Sequence, residues 1–284
     1  MNQIGDRYRK FYKMTGSGND FVFLDGRDHP VHKWSPERIR EICARGTGIG
    51  ADGLVILEPG SAVDRVRFNF FNADGGRAEM CGNASLCAAR IAARLGMASP
   101  HGMVLETDAG EVRARCLEDG ERAEVVLWDV EAPAKPHGVE PVRGERGLYQ
   151  TRVGVPHLVV VVDDVDAESA DPLVRGRALR HHPGVGPAGA NVNFVSAKSG
   201  EWRVRTFERG VEDETLACGT GSIATAAVLS QIGEASLPAI IRTASGCALE
   251  ISGDVTPDGG LRAPRLAGQA RLVFEGWLPA EMAG

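Results

Sequence analysis

Two stretches of the chain read as variants of one another: RFNFFNADGGRAEMCGNASLCAARIAARLG at residues 67–96 and RVRTFERGVEDETLACGTGSIATAAVLSQIG at residues 203–233. Phe71 precedes Cys81 by ten residues, and Phe207 precedes Cys218 by eleven. Each cysteine is followed by a glycine, an alanine-rich run and a closing glycine fifteen positions on, Gly96 or Gly233. Upstream, GSGNDFVFLDG (16–26) is echoed by GANVNFVSAKSG (189–200). A repeat of order, spacing and residue type predicts two domains of similar fold related by a pseudo-two-fold axis. Such pairs commonly place a ligand site in the cleft between them. The Pro- and Gly-rich segment 131–147 (EAPAKPHGVEPVRGERG) is the natural linker, giving a first domain over 1–130 and a second over 131–269.

Outward from the repeat, 36 glycines punctuate many short Val-, Ile- and Phe-rich runs, a pattern of strands joined by tight turns. Strands are expected at 21–24, 54–57, 65–71, 103–107, 112–116, 123–128, 159–163, 193–196, 202–207, 239–242, 248–252 and 270–274. Helices are fewer. Ser35-Pro36 reads as an N-cap and first turn, with Gly46 as the stop, and 171–182 reads as a second helix ended by Pro183-Gly184. Strands and helices mix without clean βαβ alternation, so the fold class is α+β rather than a doubly wound sheet.

Composition narrows the function. Apolar residues at 43% and charged residues at 25% are ordinary for a globular chain of 284 residues. The longest apolar run, 158–162, is far too short to span a bilayer. A net charge of −6 without basic runs points to a small polar substrate and away from nucleic acid. The amino terminus, MNQIGDRYRKFYK, has no apolar core of a secretory leader. Six cysteines then imply reduced thiols and a cytoplasmic location. No C-x-x-C or helical His pair with a carboxylate is present, so no metal site is expected.

The chemistry lies at the two Cys-Gly pairs. Each precedes a helix, which Asn83 or Ser85 can cap in the first half and Thr220 or Ser222 in the second. Unpaired N–H groups and the helix dipole at such a start stabilise a thiolate. Gly82 and Gly219 lack a Cβ, so a carboxylate can approach the same N–H groups. A single Cys-Gly would read as packing, because cysteine is among the most buried residue types. Two at matched positions read as function. Inverting a stereocentre needs a base on one face and an acid on the other, and a thiolate with a thiol performs both roles. Helix N-termini at the substrate carboxylate would stabilise the developing carbanion without a cofactor. Cys43, Cys87, Cys116 and Cys247 fall in helix or strand patterns and are assigned to packing.

At these residues the chain resembles the diaminopimelate epimerase family along nearly its whole length. The resemblance is carried by MTGSGNDFVFLDG (14–26), GTGIGADGL (46–54), FNADGG (71–76), MCGN (80–83), GVPHLVVVVDDV (154–165), GANVNFV (189–195) and FERGVEDETLACGTG (207–221). It implies two pseudo-symmetric domains, each a mixed sheet around a central helix, with residues 270–284 completing the first. It also implies interconversion of LL- and meso-diaminopimelate, no cofactor, and a homodimer. Cys81 and Cys218 match the family's base and acid. Gly82, Asn83, Gly219 and Thr220 match its carboxylate-binding helix starts. Asn19, Asn72, Asn191, Glu208 and Arg209 match its substrate contacts, and the bidentate fork of Arg209 suits a distal carboxylate. His157 and Glu208 match residues that position the reacting amino acid and tune the thiols. Val155 stands where many members carry asparagine, Gly53 where some carry glutamine, and GVEDET is one residue longer than in some.

Two other readings stay open on the residues alone. One is a racemase of the same fold acting on histidine or proline. The other is a non-catalytic amino-acid-binding protein, which would have no use for matched thiols. The phosphate-cradle look of GTGIGADG is set aside, because it lacks the Lys-Ser/Thr of a P-loop and GxGxxG spacing.

Overall fold

The computed structural model describes residues 8–117 and 120–279. The leader reading of residues 1–7 and the assignment of 280–284 to the first domain lie outside the described residues. The described residues divide into two compact units, one running up to Val125 and resuming from Gly268, the other Val126–Ala267.

The first unit holds β1 (Tyr8–Gly16), β2 (Asn19–Asp25), α1 (Pro36–Cys43), β3 (Gly53–Pro59), β4 (Arg65–Asn72), β5 (Arg77–Ala78), α2 (Gly82–Arg94), β6 (Met103–Thr107), β7 (Gly110–Cys116) and β8 (Arg122–Val126). The second holds β9 (Glu145–Val153), β10 (Val155–Val162), the short α3 (Arg177–Arg180), β11 (Asn191–Lys198), β12 (Glu201–Glu208), β13 (Asp213–Thr215), α4 (Gly219–Gln231), β14 (Ala239–Arg242), β15 (Ala248–Val255) and β16 (Leu261–Gln269). The last strand, β17 (Arg271–Pro279), pairs antiparallel with β1 in the first unit.

Strand pairing repeats between the units. In the first, β1–β2 is antiparallel, β2–β3 parallel, β3–β4 and β4–β5 antiparallel, β4–β6 parallel and β6–β7 antiparallel. In the second, β9–β10, β10–β11, β11–β12, β12–β13, β12–β14 and β14–β15 follow the same sequence of senses. The sheets are therefore mixed and the fold is α+β with few helices. The register aligns the repeat residue by residue. Phe21 pairs with Gly53 and Val55 with Phe70, as His157 pairs with Asn191 and Asn193 with Thr206. Ala78 and Thr215 then occupy matching places, three residues before each cysteine.

That register corrects one expected echo. GANVNFVSAKSG contains β11, the counterpart of β3, so it does not match 16–26. The counterpart of β2 is β10, from GVPHLVVVV, whose apolar run bears no visible likeness to GSGNDFVFLDG. Parallel pairing, not local composition, sets the match.

Each central helix sits inside its own sheet. α2 packs on β1, β2, β3, β6 and β7, and α4 on β9, β10, β11, β12, β14 and β15. Ten of the 13 residues of each are buried, so neither helix has a polar face. The opposite face of the first sheet presents Val22, Leu24, Leu54, Ile56 and Phe71 to Trp34, Ile39 and Ile42. The second presents Leu158, Val160, Val192, Phe194 and Phe207 to Leu179 and Val185. Strands covered on both faces read as continuous apolar runs, as 158–162 does. Phe21, Phe23 and Phe68, each no more than 2% exposed, contribute about 1.5–3 kcal/mol apiece by burial.

Local differences from expectation have local causes. α1 is capped by Ser35, whose hydroxyl accepts from Arg38 N at 3.4 Å, and it ends at Cys43 before Gly46. The expected helix over 171–182 is a π-turn, Pro172–Gly176, followed by α3. Gly176 lies so close to Phe207 that a Cβ would meet its Cβ at 2.7 Å, and this close approach shapes the segment. β1, β9 and β16 form where the sequence predicts no strand. Their partners supply the pairing that mixed polarity and Pro264 conceal in sequence. Cys247 lies in the β14–β15 turn rather than in a strand, while Cys43 and Cys87 are buried. Among the described residues no helix is long and apolar enough to cross a membrane.

Candidate active site

Cys81 and Cys218 are the N-caps of α2 and α4, both in extended backbone conformation. This differs from the expected caps. Asn83, Ser85, Thr220 and Ser222 all lie inside the first turn, because the helices begin at Gly82 and Gly219. The serines act one turn in: Ser85 Oγ donates to Cys81 O at 2.9 Å, and Ser222 Oγ to Cys218 O at 3.0 Å. The cap position aims each thiol at the open end of the helix, where backbone N–H groups lack helical partners.

The two helix starts are built differently. In the second unit the Cys218 sulfur accepts from Gly221 N at 3.4 Å and lies 3.6 Å from Thr220 Oγ1. These contacts favour negative charge on sulfur. The Cys81 sulfur makes no such capping bond. Instead, Asn83 Nδ2 donates to Asn19 Oδ1 at 2.7 Å, and Asn19 Nδ2 donates to Asp52 Oδ2 at 3.0 Å. Arg45 reaches Asp52 at 2.7 Å and Asp20 at 2.6 Å, and Lys13 reaches Asp20 at 2.6 Å. Burial opposes ionisation of Asp20, but hydrogen bonds and charge from Arg45 and Lys13 outweigh it and lower its pKa. Asp52, which in sequence reads only as part of a loop, thus fixes which way the Asn19 amide points. Asn72 lies exposed at the end of β4, paired in register with Gly53.

In the second unit Asn191 Oδ1 accepts from Arg209 N at 2.7 Å, tying β11 to the turn after β12. The Arg209 guanidinium makes no hydrogen bond or ion pair among the described residues. Glu208, at the end of β12, has its pKa raised by burial, with Thr215 opposing. His157, adjacent in register to Asn191, is fully buried. Burial first, and Arg209 second, pull its pKa down to about 3, so the ring is neutral at pH 7. Its Nδ1 lies 3.3 Å from Asn193 Nδ2, while Nε2 is buried without a hydrogen-bond partner among the described residues.

The structure thus joins Asn19 with Asn83 in one unit, and Asn191 with Arg209 and Cys218 with Thr220 in the other. Asp52, Asn193, Thr206 and Gly221 belong to these networks and escape a reading of the sequence alone. The i, i+2 spacing of Asn191 and Asn193 places both on one face of β11 and is the available signal for the latter. Among the described residues no group of three or more His, Cys, Asp and Glu side chains could hold a metal ion.

The chain is similar to known proteins in both sequence and fold. The family model described as diaminopimelate epimerase matches residues 11–132 and 149–256. The diaminopimelate epimerase of Gemmatimonas aurantiaca is 47% identical over 277 residues, covering 94% of this chain and 98% of that protein. The diaminopimelate epimerase of Aquifex aeolicus is 41% identical over 286 residues, covering 96% and 99%. Among solved structures, a phenazine biosynthesis protein of the PhzF family from Bacillus anthracis superposes with a TM-score of 0.73 at 14% identity, covering 96% of this chain and 99% of its own. That likeness speaks for the fold. The sequence matches, spanning both units and both Cys-Gly helix starts, establish that the chain belongs to the diaminopimelate epimerase family.

Proposed function

We propose that this chain interconverts LL- and meso-2,6-diaminopimelate without a cofactor, as an isomerase of lysine and peptidoglycan-precursor biosynthesis. The observation that carries this reading is the near full-length similarity to diaminopimelate epimerases. Cys81 and Cys218 are the acid–base pair: one thiolate removes the α-proton while the other thiol returns a proton to the opposite face. Their equivalent N-cap positions support equivalent chemistry. Gly82, Asn83, Gly219 and Thr220 hold the α-carboxylate against backbone N–H groups, which also stabilise the charge that develops as the proton leaves. Asn19, Asn72, Asn191, Glu208 and Arg209 bind the rest of the substrate, and His157 and Glu208 position the reacting amino acid. Arg209, a half-buried guanidinium without an ion-pair partner among the described residues, suits a second carboxylate. This feature favours diaminopimelate over histidine or proline.

In heavy water, LL-diaminopimelate is expected to give meso product carrying deuterium at one α-carbon, read by mass spectrometry and proton NMR. Unlabelled product from active enzyme would rule out the two-base mechanism. Histidine, proline and lysine, offered in parallel, are expected to show no α-proton exchange; preferred exchange of any of these would replace the substrate assignment.

The location is proposed as cytoplasmic, consistent with six cysteines in the sequence. The oligomeric state is proposed as a homodimer. Val273, Phe274 and Trp277 of β17 are 45%, 47% and 58% exposed, a concentration of large apolar side chains on one strand. Sedimentation equilibrium is expected to return twice the chain mass, and a monomeric mass at micromolar concentration would refute it.

A further inference from the structure

The matched register exposes an asymmetry beneath the two helix starts. In the first unit the positions Phe21, Val55 and Phe70 are all apolar, and the rings of Phe21 and Phe70 meet edge to face at 6.1 Å. In the second unit the same positions are His157, Asn193 and Thr206, each no more than 3% exposed. The third helical residue differs in step, being Ala84 in α2 and Gly221 in α4. A Cβ on Gly221 would fall well inside van der Waals contact of Asn193 Oδ1 and 3.2 Å from Cys218 Sγ. The fold therefore accepts an apolar layer here, and the second unit has replaced it with a buried polar one. Desolvating three polar side chains costs free energy that an apolar layer would not, so the replacement calls for a function.

Hydrogen bonding defines that function. Asn193 Nδ2 lies 3.3 Å from Leu158 O, which can only accept, so the amide orientation is settled. Its Oδ1 accepts from Thr206 Oγ1 at 3.0 Å. The remaining Nδ2 hydrogen points to His157 Nδ1 at 3.3 Å, making Nδ1 the acceptor. A neutral imidazole whose Nδ1 accepts carries its proton on Nε2. Nε2 is the atom left buried and without a partner among the described residues. An unfilled buried donor is costly, and a bound acceptor removes the cost.

We propose that Asn193 is a positioning residue that locks His157 in the Nε2–H tautomer, so that the ring donates a hydrogen bond to a carboxylate oxygen of the substrate. The exchange of Ala for Gly at position 221 makes room for it beside Cys218. This role rests on the epimerase reading for its substrate, but the tautomer is a property of the ligand-free protein and is tested without turnover.

The experiment is ¹⁵N–¹H long-range NMR on uniformly histidine-labelled, ligand-free enzyme at pH 7, with His157→Phe assigning the signal. The expected pattern is neutral, with protonated Nε2 and bare Nδ1; a protonated Nδ1 would overturn the proposal, whatever the substrate proves to be. The double variant Asn193→Val with Gly221→Ala carries the first unit's residues, those of Val55 and Ala84, at two of the four positions while keeping His157 and Thr206, and is expected to fold. In it the His157 signal should shift toward mixed tautomers, and kcat/KM should fall about 10- to 100-fold, the loss expected for one hydrogen bond to a charged group. An unchanged tautomer in that variant would also overturn the proposal. Asn193→Asp, whose carboxylate accepts from Nδ1–H, should move the proton to Nδ1, and retention of the Nε2–H pattern there would count against it equally.

Discussion

A Cys218→Ala enzyme is expected to lose inversion of diaminopimelate by about 10³-fold or more, in line with the 10²–10⁴-fold that one positioned acid or base contributes. It should not lose all chemistry. With Cys81 intact, the isomer whose α-proton that thiolate can reach should still exchange the proton with heavy water, without inverting. The other isomer should exchange only in the reciprocal variant, Cys81→Ala. Measuring exchange and inversion separately for both isomers thus distinguishes a two-base enzyme from a one-base enzyme or a binding protein. If either single variant exchanged both isomers at the wild-type rate, the thiols would not be the acid–base pair.

The second large effect is expected from the smallest change, Gly221→Ala. On propensity alone the substitution should stabilise α4 by about 1 kcal/mol. Its added Cβ, however, would press into Asn193 Oδ1 and lie 3.2 Å from Cys218 Sγ. Neither neighbour can yield freely: Asn193 is fully buried and bonded to Thr206 and Leu158, and the thiol caps the helix. Displacing a reacting group by even 1 Å costs about 10²-fold in rate. The expected result is a folded protein with kcat reduced about 100-fold, checked by thermal melting alongside steady-state kinetics. Wild-type kcat in a folded Gly221→Ala protein would show that the contact yields cheaply. Adding Asn193→Val should relieve the steric strain, raising the melting temperature of the single variant without restoring wild-type activity. Two residues in contact are expected to be non-additive in this way.

The extent of sequence legibility follows the range of the interactions involved. Cys81 and Cys218 are legible because a repeat with equal Cys-to-Gly spacing is a property of the string, and Cys-Gly before an alanine-rich run marks a helix start through local backbone geometry alone. Long apolar strands such as β10 and β11 are legible for the same reason. Strand β1, with Arg9, Lys10 and Lys13 between apolar residues, is not, because its burial depends on partners β2 and β17 from distant parts of the chain. The match of β2 to β10 is likewise hidden, since asparagine-rich similarity points to β11 and only hydrogen-bond register corrects it. Asp52 and Asn193 escape notice because their roles lie in what they touch, Asn19 in one case and His157 in the other. By itself, then, the sequence determined the α+β class, the duplication and the cysteine pair, all consequences of periodicity and spacing. Tertiary structure alone decided that the cysteines themselves are the caps, and that an apolar layer under one becomes a His–Asn–Thr network under the other. Such a difference arises from pairing between residues 13 to 34 positions apart (Asn193 with Thr206, His157 with Asn191), which no local pattern encodes.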